Sequence, residues 1–130
     1  ALGRLRLHRL GGFLALVPER EPDALAATVV RDLDIFRAPM TPEDRARRRP
    51  ELLSDRQREL LDQFGYPYVM EEFRFHLTLT GNGAPEGVEA VLEPILAPIL
   101  PDPFVIEDLC LFGEAEDGRF HLVHRYALTG

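Results

Sequence analysis

Lysine does not occur in this 130-residue sequence, and cysteine occurs once, at Cys110. Without lysine the chain can have no lysine nucleophile, no Schiff base and no P-loop, because the P-loop motif ends on that residue. A single cysteine excludes an internal disulfide framework and a cysteine-based zinc site. Both exclusions fit a protein of the reducing cytoplasm, which is the location we expect.

Basic charge is also scarce, since 15 basic residues, all arginine, stand against 22 acidic ones. The formal charge of -7 and a pI near 5.1 argue against general binding to nucleic acid or to a membrane surface. No apolar run is long enough to span a bilayer, and the opening ALGRLRLHRL has no signal-peptide core. A small anionic ligand remains compatible with this composition if arginines gather locally.

The length and composition predict one domain over residues 1–130, because 45% hydrophobic residues in 130 are enough for a single core. The sequence does not begin with methionine and reaches strand-like residues almost at once. We therefore expect this domain to be the C-terminal part of a longer polypeptide.

Five segments have the β-forming composition or alternation typical of strands. Gly11-Gly12 separates the first two and predicts a hairpin between them. An acidic turn, GEAEDG, separates the last two. The predicted strands are residues 3–10, 13–17, 73–80, 104–112 and 119–128.

Helices are predicted between these strands from apolar spacing and capping residues. The first runs from Pro22 to Phe36, and short helices begin after the N-caps Thr41 and Ser54. A last helix covers residues 85–100, kinked or split by its prolines. The order predicts an α+β fold, with helices packed on one face of an antiparallel sheet.

The segment whose residues are best suited to catalysis or ligand binding is FRFHLTLTG, in the predicted strand 73–80. Strand alternation places Phe73, Phe75, Leu77 and Leu79 on one face, which we expect to be core. The other face then presents Arg74, His76, Thr78 and Thr80. A histidine can exchange a proton near neutral pH, a hydroxyl can hold a phosphate oxygen, and an arginine can pair with its charge. The spacing alone equally describes an ordinary strand with a polar outer face.

A family resemblance adds to this spacing. The stretch GYPYVMEEFRFHLTLTG, with GGFLALVP before it and FRAPMTPEDRARRRPELLSDRQRELLDQFGYPY between, resembles a bacterial family of uncharacterised proteins associated with phosphonate-utilisation operons. That family belongs to the two-histidine (2H) phosphoesterase superfamily, and the similarity covers nearly the whole sequence. The superfamily motif is histidine, any residue, then threonine or serine, and His76-Leu77-Thr78 matches its second copy.

The resemblance implies a fold, a reaction and partners. It implies one lobe of a bilobal 2H fold, of the RNA ligase and cyclic phosphodiesterase type, with one motif in each lobe. In such enzymes one histidine is the general base and the other the general acid, while the hydroxyls grip the phosphate. It implies no metal and no other cofactor, and a small phosphate ester, cyclic phosphate or nucleotide-like ligand as substrate.

The first motif is missing from this sequence, so His76 and Thr78 make half of such a site. His121 is followed by Leu122-Val123, which lacks the hydroxyl, and His124 by Arg125-Tyr126, whose phenol has the wrong length. Strand alternation also predicts opposite faces for His121 and His124. We expect an upstream N-terminal lobe to supply the second pair, with a second subunit in a homodimer as the other source.

Several further residues have two interpretations. The basic cluster at residues 45–49 is either a flap that offers guanidinium groups to substrate phosphate or a solvated helix face paired with nearby carboxylates. Tyr66 and Tyr68 either stack on substrate or pack at a rim. His8 suits a surface position, and Cys110 suits a buried one.

Three hypotheses therefore stand: a metal-independent phosphodiesterase lobe, a phosphate- or nucleotide-binding module without turnover, and a structural lobe. For the first, His76 and Thr78 are the catalytic candidates. Arg74, Thr80, Tyr66 and Tyr68 are the candidate substrate-binding residues.

Overall fold

The computed structural model describes residues 1–129, which divide into two compact units. One unit comprises Ala1–Arg20 together with the chain from Leu77 onward, and the other is Glu21–His76. Within residues 1–129, small antiparallel sheets and four α-helices make an α+β fold, the class that the sequence predicts.

The first unit contains a three-stranded antiparallel sheet in the order β1, β2, β3. β1 is Leu5–Leu10, β2 is Phe13–Pro18 and β3 is Leu77–Thr78. β1 and β2 form the predicted hairpin, with Leu10 opposite Phe13, and Gly11 at the turn has a φ of 58° that favours glycine.

The predicted strand 73–80 is wrong in its length, because only Leu77 and Thr78 join the sheet ladder. Before them, Met70–Glu72 forms a 3-10 helix, and the amide of Phe75 donates to the Glu21 carboxylate at 2.8 Å. That carboxylate lies 54 residues away in the sequence, so no local pattern could reveal that this amide bonds outside the ladder.

The buried part of this unit is small and centres on β2, where Leu14 and Ala15 are fully inaccessible and Leu16 nearly so. Of the four predicted core residues on the motif segment, Phe73 and Phe75 are half-buried, whereas Leu77 and Leu79 are exposed. Alternation assigns side chains to a face, but only packing against other residues buries that face.

The second unit is helical. Its α-helices are α1 (Asp23–Leu33), α2 (Pro42–Arg47) and α3 (Asp55–Phe64). Short 3-10 helices lie at Asp34–Phe36, Pro50–Leu52 and Met70–Glu72.

The predicted starts of α2 and α3 are confirmed. Thr41 and Ser54 each form a capping box, with Asp44 and Gln57 respectively, which satisfies backbone amides at the helix start. Gly65 ends α3 in the left-handed conformation, as its position predicts. Leu60 and Leu61 on α3 are fully buried.

The C-terminal part of the first unit has α4 (Val88–Leu96) and a hairpin of β4 (Asp108–Glu114) and β5 (Phe120–Ala127). None of the described residues in this part is buried. Cys110 is therefore exposed, and the prediction that it is buried is wrong. Across residues 1–129 no helix is both long and apolar enough to cross a membrane.

A β-bulge changes which face the C-terminal histidines share. The register shifts between Leu111 and Phe112, which leaves Val123 without a cross-strand partner. His121 then lies opposite Gly113 and His124 opposite Leu111. Because positions 111 and 113 share a face of β4, both histidines lie on that face, and the prediction of opposite faces is wrong.

We predict that Leu61→Ala lowers the free energy of unfolding by about 2–5 kcal/mol, because it empties a fully buried site. Leu52→Ala is the matched control, since Leu52 is 72% exposed, and should cost under about 1 kcal/mol. Urea denaturation followed by circular dichroism measures both, and similar losses in the two variants would contradict this core.

Candidate functional site

His76 is exposed, and its ring is oriented by the chain immediately before it. Nδ1 lies 2.8 Å from the carbonyl oxygen of Arg74. A carbonyl oxygen only accepts, so Nδ1 donates, and in the neutral ring the lone pair lies on Nε2. The geometry therefore makes Nε2 the nitrogen suited to take up a proton.

Side-chain contacts within the second unit anchor the segment that leads to His76. The side-chain amide of Gln57 donates to the Glu72 carboxylate at 2.9 Å, and Arg56 pairs with both Glu71 and Glu59. The Arg56 guanidinium holds the pKa of the Glu71 carboxyl below its usual value, so that contact remains ionic. Together with the bond from Phe75 to Glu21, these contacts hold residues 71–75 on both sides of the turn.

Thr78 lies in the three-stranded sheet, opposite Ala15 of β2. Its side chain is exposed, and its hydroxyl forms no hydrogen bond within residues 1–129. The backbone of Thr78 is thus fixed by the ladder, while its hydroxyl remains available to a ligand.

Thr80, the other hydroxyl of the predicted face, is already engaged. Its Oγ1 accepts the backbone N–H of Leu14 at 3.0 Å and donates to the carbonyl of Gly81 at 3.0 Å. These two bonds give the side chain a structural role at the end of the motif segment.

Arg74 curls back on its own turn, where it donates to the carbonyl oxygens of Glu71 and Phe73 at 3.0 and 2.6 Å. It also lines a cavity of about 320 Å³ between α1 and the 3-10 helix Met70–Glu72, and Arg31 lines the same cavity. The ring of His76 contacts the backbone carbonyl of Arg74 and not its guanidinium.

Tyr66 and Tyr68 lie together, with ring centroids 5.7 Å apart in an edge-to-face arrangement. The guanidinium of Arg48 stacks over Tyr66 at 4.8 Å. The structure thus brings the tyrosine pair to one member of the basic cluster, a contact that spacing does not reveal.

The boundary between the two compact units lies between His76 and Leu77.

Sequence reasoning missed Arg37, which lies in a cavity with Arg47 and Arg48. The available signal was weak, because Arg37 precedes the basic cluster by eight residues and lies outside any helix.

No group of three or more metal-ligating side chains occurs in the described part of the chain.

Comparison with known proteins assigns the chain to a family. Residues 1–121 match the family described as "Protein of unknown function (DUF1045)", and the chain belongs to that family. No solved structure matches it.

The chain is also similar to ribose 1,5-bisphosphate phosphokinase PhnN of Janthinobacterium sp. (strain Marseille), with 44% identity over 82 residues. This alignment covers 61% of the present chain and 18% of that relative. Most of the relative thus lies outside the aligned region, and the present chain, which has no lysine, contains no P-loop.

We predict that Thr80→Val lowers the free energy of unfolding by about 1–3 kcal/mol, because the N–H of Leu14 loses its acceptor. Thr78→Val is the matched control, and because its hydroxyl bonds to nothing within the described residues, it should change stability by less than about 0.5 kcal/mol. Chemical denaturation of the two variants tests this. A larger loss of stability in Thr78→Val than in Thr80→Val would contradict the structural role assigned to Thr80.

Proposed function

We propose that this chain supplies half of a metal-independent 2H-type phosphoesterase site that acts on a small phosphate ester or cyclic phosphate. The observation that carries the proposal is the oriented ring of His76, followed two residues later by Thr78, whose hydroxyl forms no hydrogen bond within residues 1–129. In this proposal the domain is one lobe of a bilobal 2H fold.

His76 is the proton-transfer group of the proposed mechanism. With Nδ1 held by the Arg74 carbonyl, Nε2 takes a proton from the attacking water or hydroxyl, or as imidazolium gives one to the leaving oxygen. Which of these steps falls to His76 depends on the side of the phosphorus atom from which it approaches.

Thr78 is the proposed phosphate ligand, because a hydroxyl donor can hold a non-bridging oxygen through both steps without changing charge. Arg74, Tyr66 and Tyr68 remain proposed binding residues. Thr80 supports Thr78 indirectly through its bonds to Leu14 and Gly81.

The second histidine and hydroxyl come, in this proposal, from an upstream lobe or a second subunit. General acid and general base catalysis on one phosphate require groups on opposite sides of the phosphorus atom. A single H-x-T motif provides one side.

A role in phosphonate metabolism is part of the proposal. It rests on the resemblance to a phosphonate-operon family and on the Phn name of the relative in Janthinobacterium. That relative is named for a sugar bisphosphate, which is consistent with a small phosphate ester as the ligand of this chain.

We predict that His76→Ala in the intact natural polypeptide lowers kcat for hydrolysis of a 2′,3′-cyclic nucleotide by roughly a hundredfold to ten-thousandfold, the usual effect of losing a general acid or base. Thr78→Val should lower kcat less, since it removes a hydrogen bond and no proton transfer. His124→Ala controls for loss of an exposed histidine and should leave the rate unchanged. Equal rates in wild type and His76→Ala would reject the assignment.

The second candidate is a binding module that holds phosphate without turnover, favoured by the single H-x-T motif in the sequence. The intact polypeptide distinguishes the two. Binding of a cyclic nucleotide with no hydrolysis, and loss of that binding in Thr78→Val, would favour the module.

We also expect self-association of the 130-residue chain, because apolar side chains on α4 and the C-terminal hairpin are exposed, including Ile95 at 58% and Phe120 at 68%. Light scattering should detect dimers or larger species at tens of micromolar, about the range of weak protein contacts. A clean monomer at that concentration would contradict the idea that these surfaces are interfaces.

A further inference from the structure

A second arginine-rich cavity lies within the helical unit, between the segment after the first 3-10 helix and the end of α2. It measures about 370 Å³, which suits a small ligand. Its charged lining residues are Arg37, Arg47, Arg48 and a single carboxylate, Asp44. In a chain with a formal charge of -7, this is a local excess of positive charge.

The arginines of this cavity differ in their existing partners. Arg37 donates to the Asp34 carboxylate at 2.7 Å and to the Gln63 carbonyl at 3.0 Å, so its guanidinium is fixed in place. Arg47 pairs with Asp44. Each of these guanidinium groups has five N–H donors, and the contacts described use only some of them.

Gly65 makes room for the first of these arginines. A β-carbon at Gly65 would come within 3.2 Å of Nη1 of Arg37, and the glycine has a φ of 75°. The helix-ending glycine therefore has a second role, because it lets a guanidinium approach the backbone at the wall of the cavity.

Arg48 lacks a carboxylate partner among residues 1–129. Its guanidinium stacks instead on the ring of Tyr66, with 4.8 Å to the ring centroid. Such stacking holds the planar group in one orientation and leaves its N–H edge to hydrogen-bond in the ring plane. The neighbouring Arg49 also has no ion pair within those residues, but it does not line the cavity.

We propose that this cavity binds the phosphate group of a small phosphorylated ligand, with Arg48 as the main contact and Arg37 and Arg47 as supporting donors. Planar guanidinium groups match phosphate oxygens in charge and geometry, and an anion here would compensate the unpaired charge of Arg48. The other arginines of the region have different roles: Arg45 pairs with Asp62, and Arg58 with Asp55. The proposal does not depend on catalysis at His76, since it requires only binding.

The test is a titration of the ¹⁵N-labelled 130-residue chain with inorganic phosphate, at constant ionic strength because salt screens exposed charges. The amides of Ala38, Met40 and Gly65, which line the cavity, should shift together and saturate. No saturating shift there up to about 20 mM phosphate, beyond the millimolar range of weak binding, would overturn the proposal.

Two variants of equal charge separate a built site from a general field. Arg48→Gln should weaken phosphate binding about tenfold or more, whereas Arg49→Gln should change it less than about twofold. Equal weakening in both would show that only net charge matters, and would overturn the assignment. Tyr66→Leu keeps Arg48 but removes its platform, so binding should weaken about two- to fivefold.

Parallel titrations with ribose 5-phosphate and AMP distinguish the sources of the phosphate group. Equal affinities for the three ligands would assign recognition to the phosphate alone. Tighter binding of AMP would add a contribution from stacking on an aromatic ring, for which Tyr66 and Tyr68 are the nearest candidates in sequence. Phosphate binding in this cavity without any hydrolysis that depends on His76 would reject the proposed function but support the present proposal.

Discussion

The pairing of β2 with the motif segment is the interaction on which the position of Thr78 depends. β2 is buried at Leu14 and Ala15 and bonds to a strand on each side. The carbonyl of Leu14 accepts the amides of Leu79 and Thr80, and its amide donates to the Thr80 hydroxyl. A slip of one residue would turn Thr78 to the other face and break these bonds, so the register at the buried Leu14 also fixes the orientation of Thr78.

The features that sequence predicted correctly are those whose energies arise within a few residues. The capping boxes of Thr41 and Ser54 and the terminal Gly65 are complete within one helical turn or less, so their sequence signatures suffice. The motif strand depends instead on where distant partners lie. The Phe75 amide bonds to Glu21, and the bulge at Val123 depends on how β4 and β5 pair. Neither feature could be derived from the spacing of residues in one segment.

The basic cluster shows the same limit for electrostatics. The sequence offers two interpretations for residues 45–49, a paired helix face or a phosphate-binding surface, and in the structure the arginines of this cluster have different kinds of partner. Arg45 and Arg47 have carboxylate partners, whereas Arg48 has an aromatic ring. The partner of Arg45 is Asp62, a residue of another helix, which helical spacing within the cluster did not suggest. Charge counts therefore describe the molecule as acidic, while the cavity beside Gly65 is locally basic.

Binding and catalysis place different demands on one chain. Holding a phosphate group requires donors on part of its surface, and a fixed guanidinium beside a second one meets that requirement alone. Transfer between an attacking and a leaving oxygen requires proton exchange on both sides of the phosphorus atom, and in the proposed function the oriented imidazole of His76 serves one side. In the two proposals taken together, the arginine cavity alone is enough to bind phosphate, while turnover at His76 requires a second proton-transfer group that approaches from the opposite side.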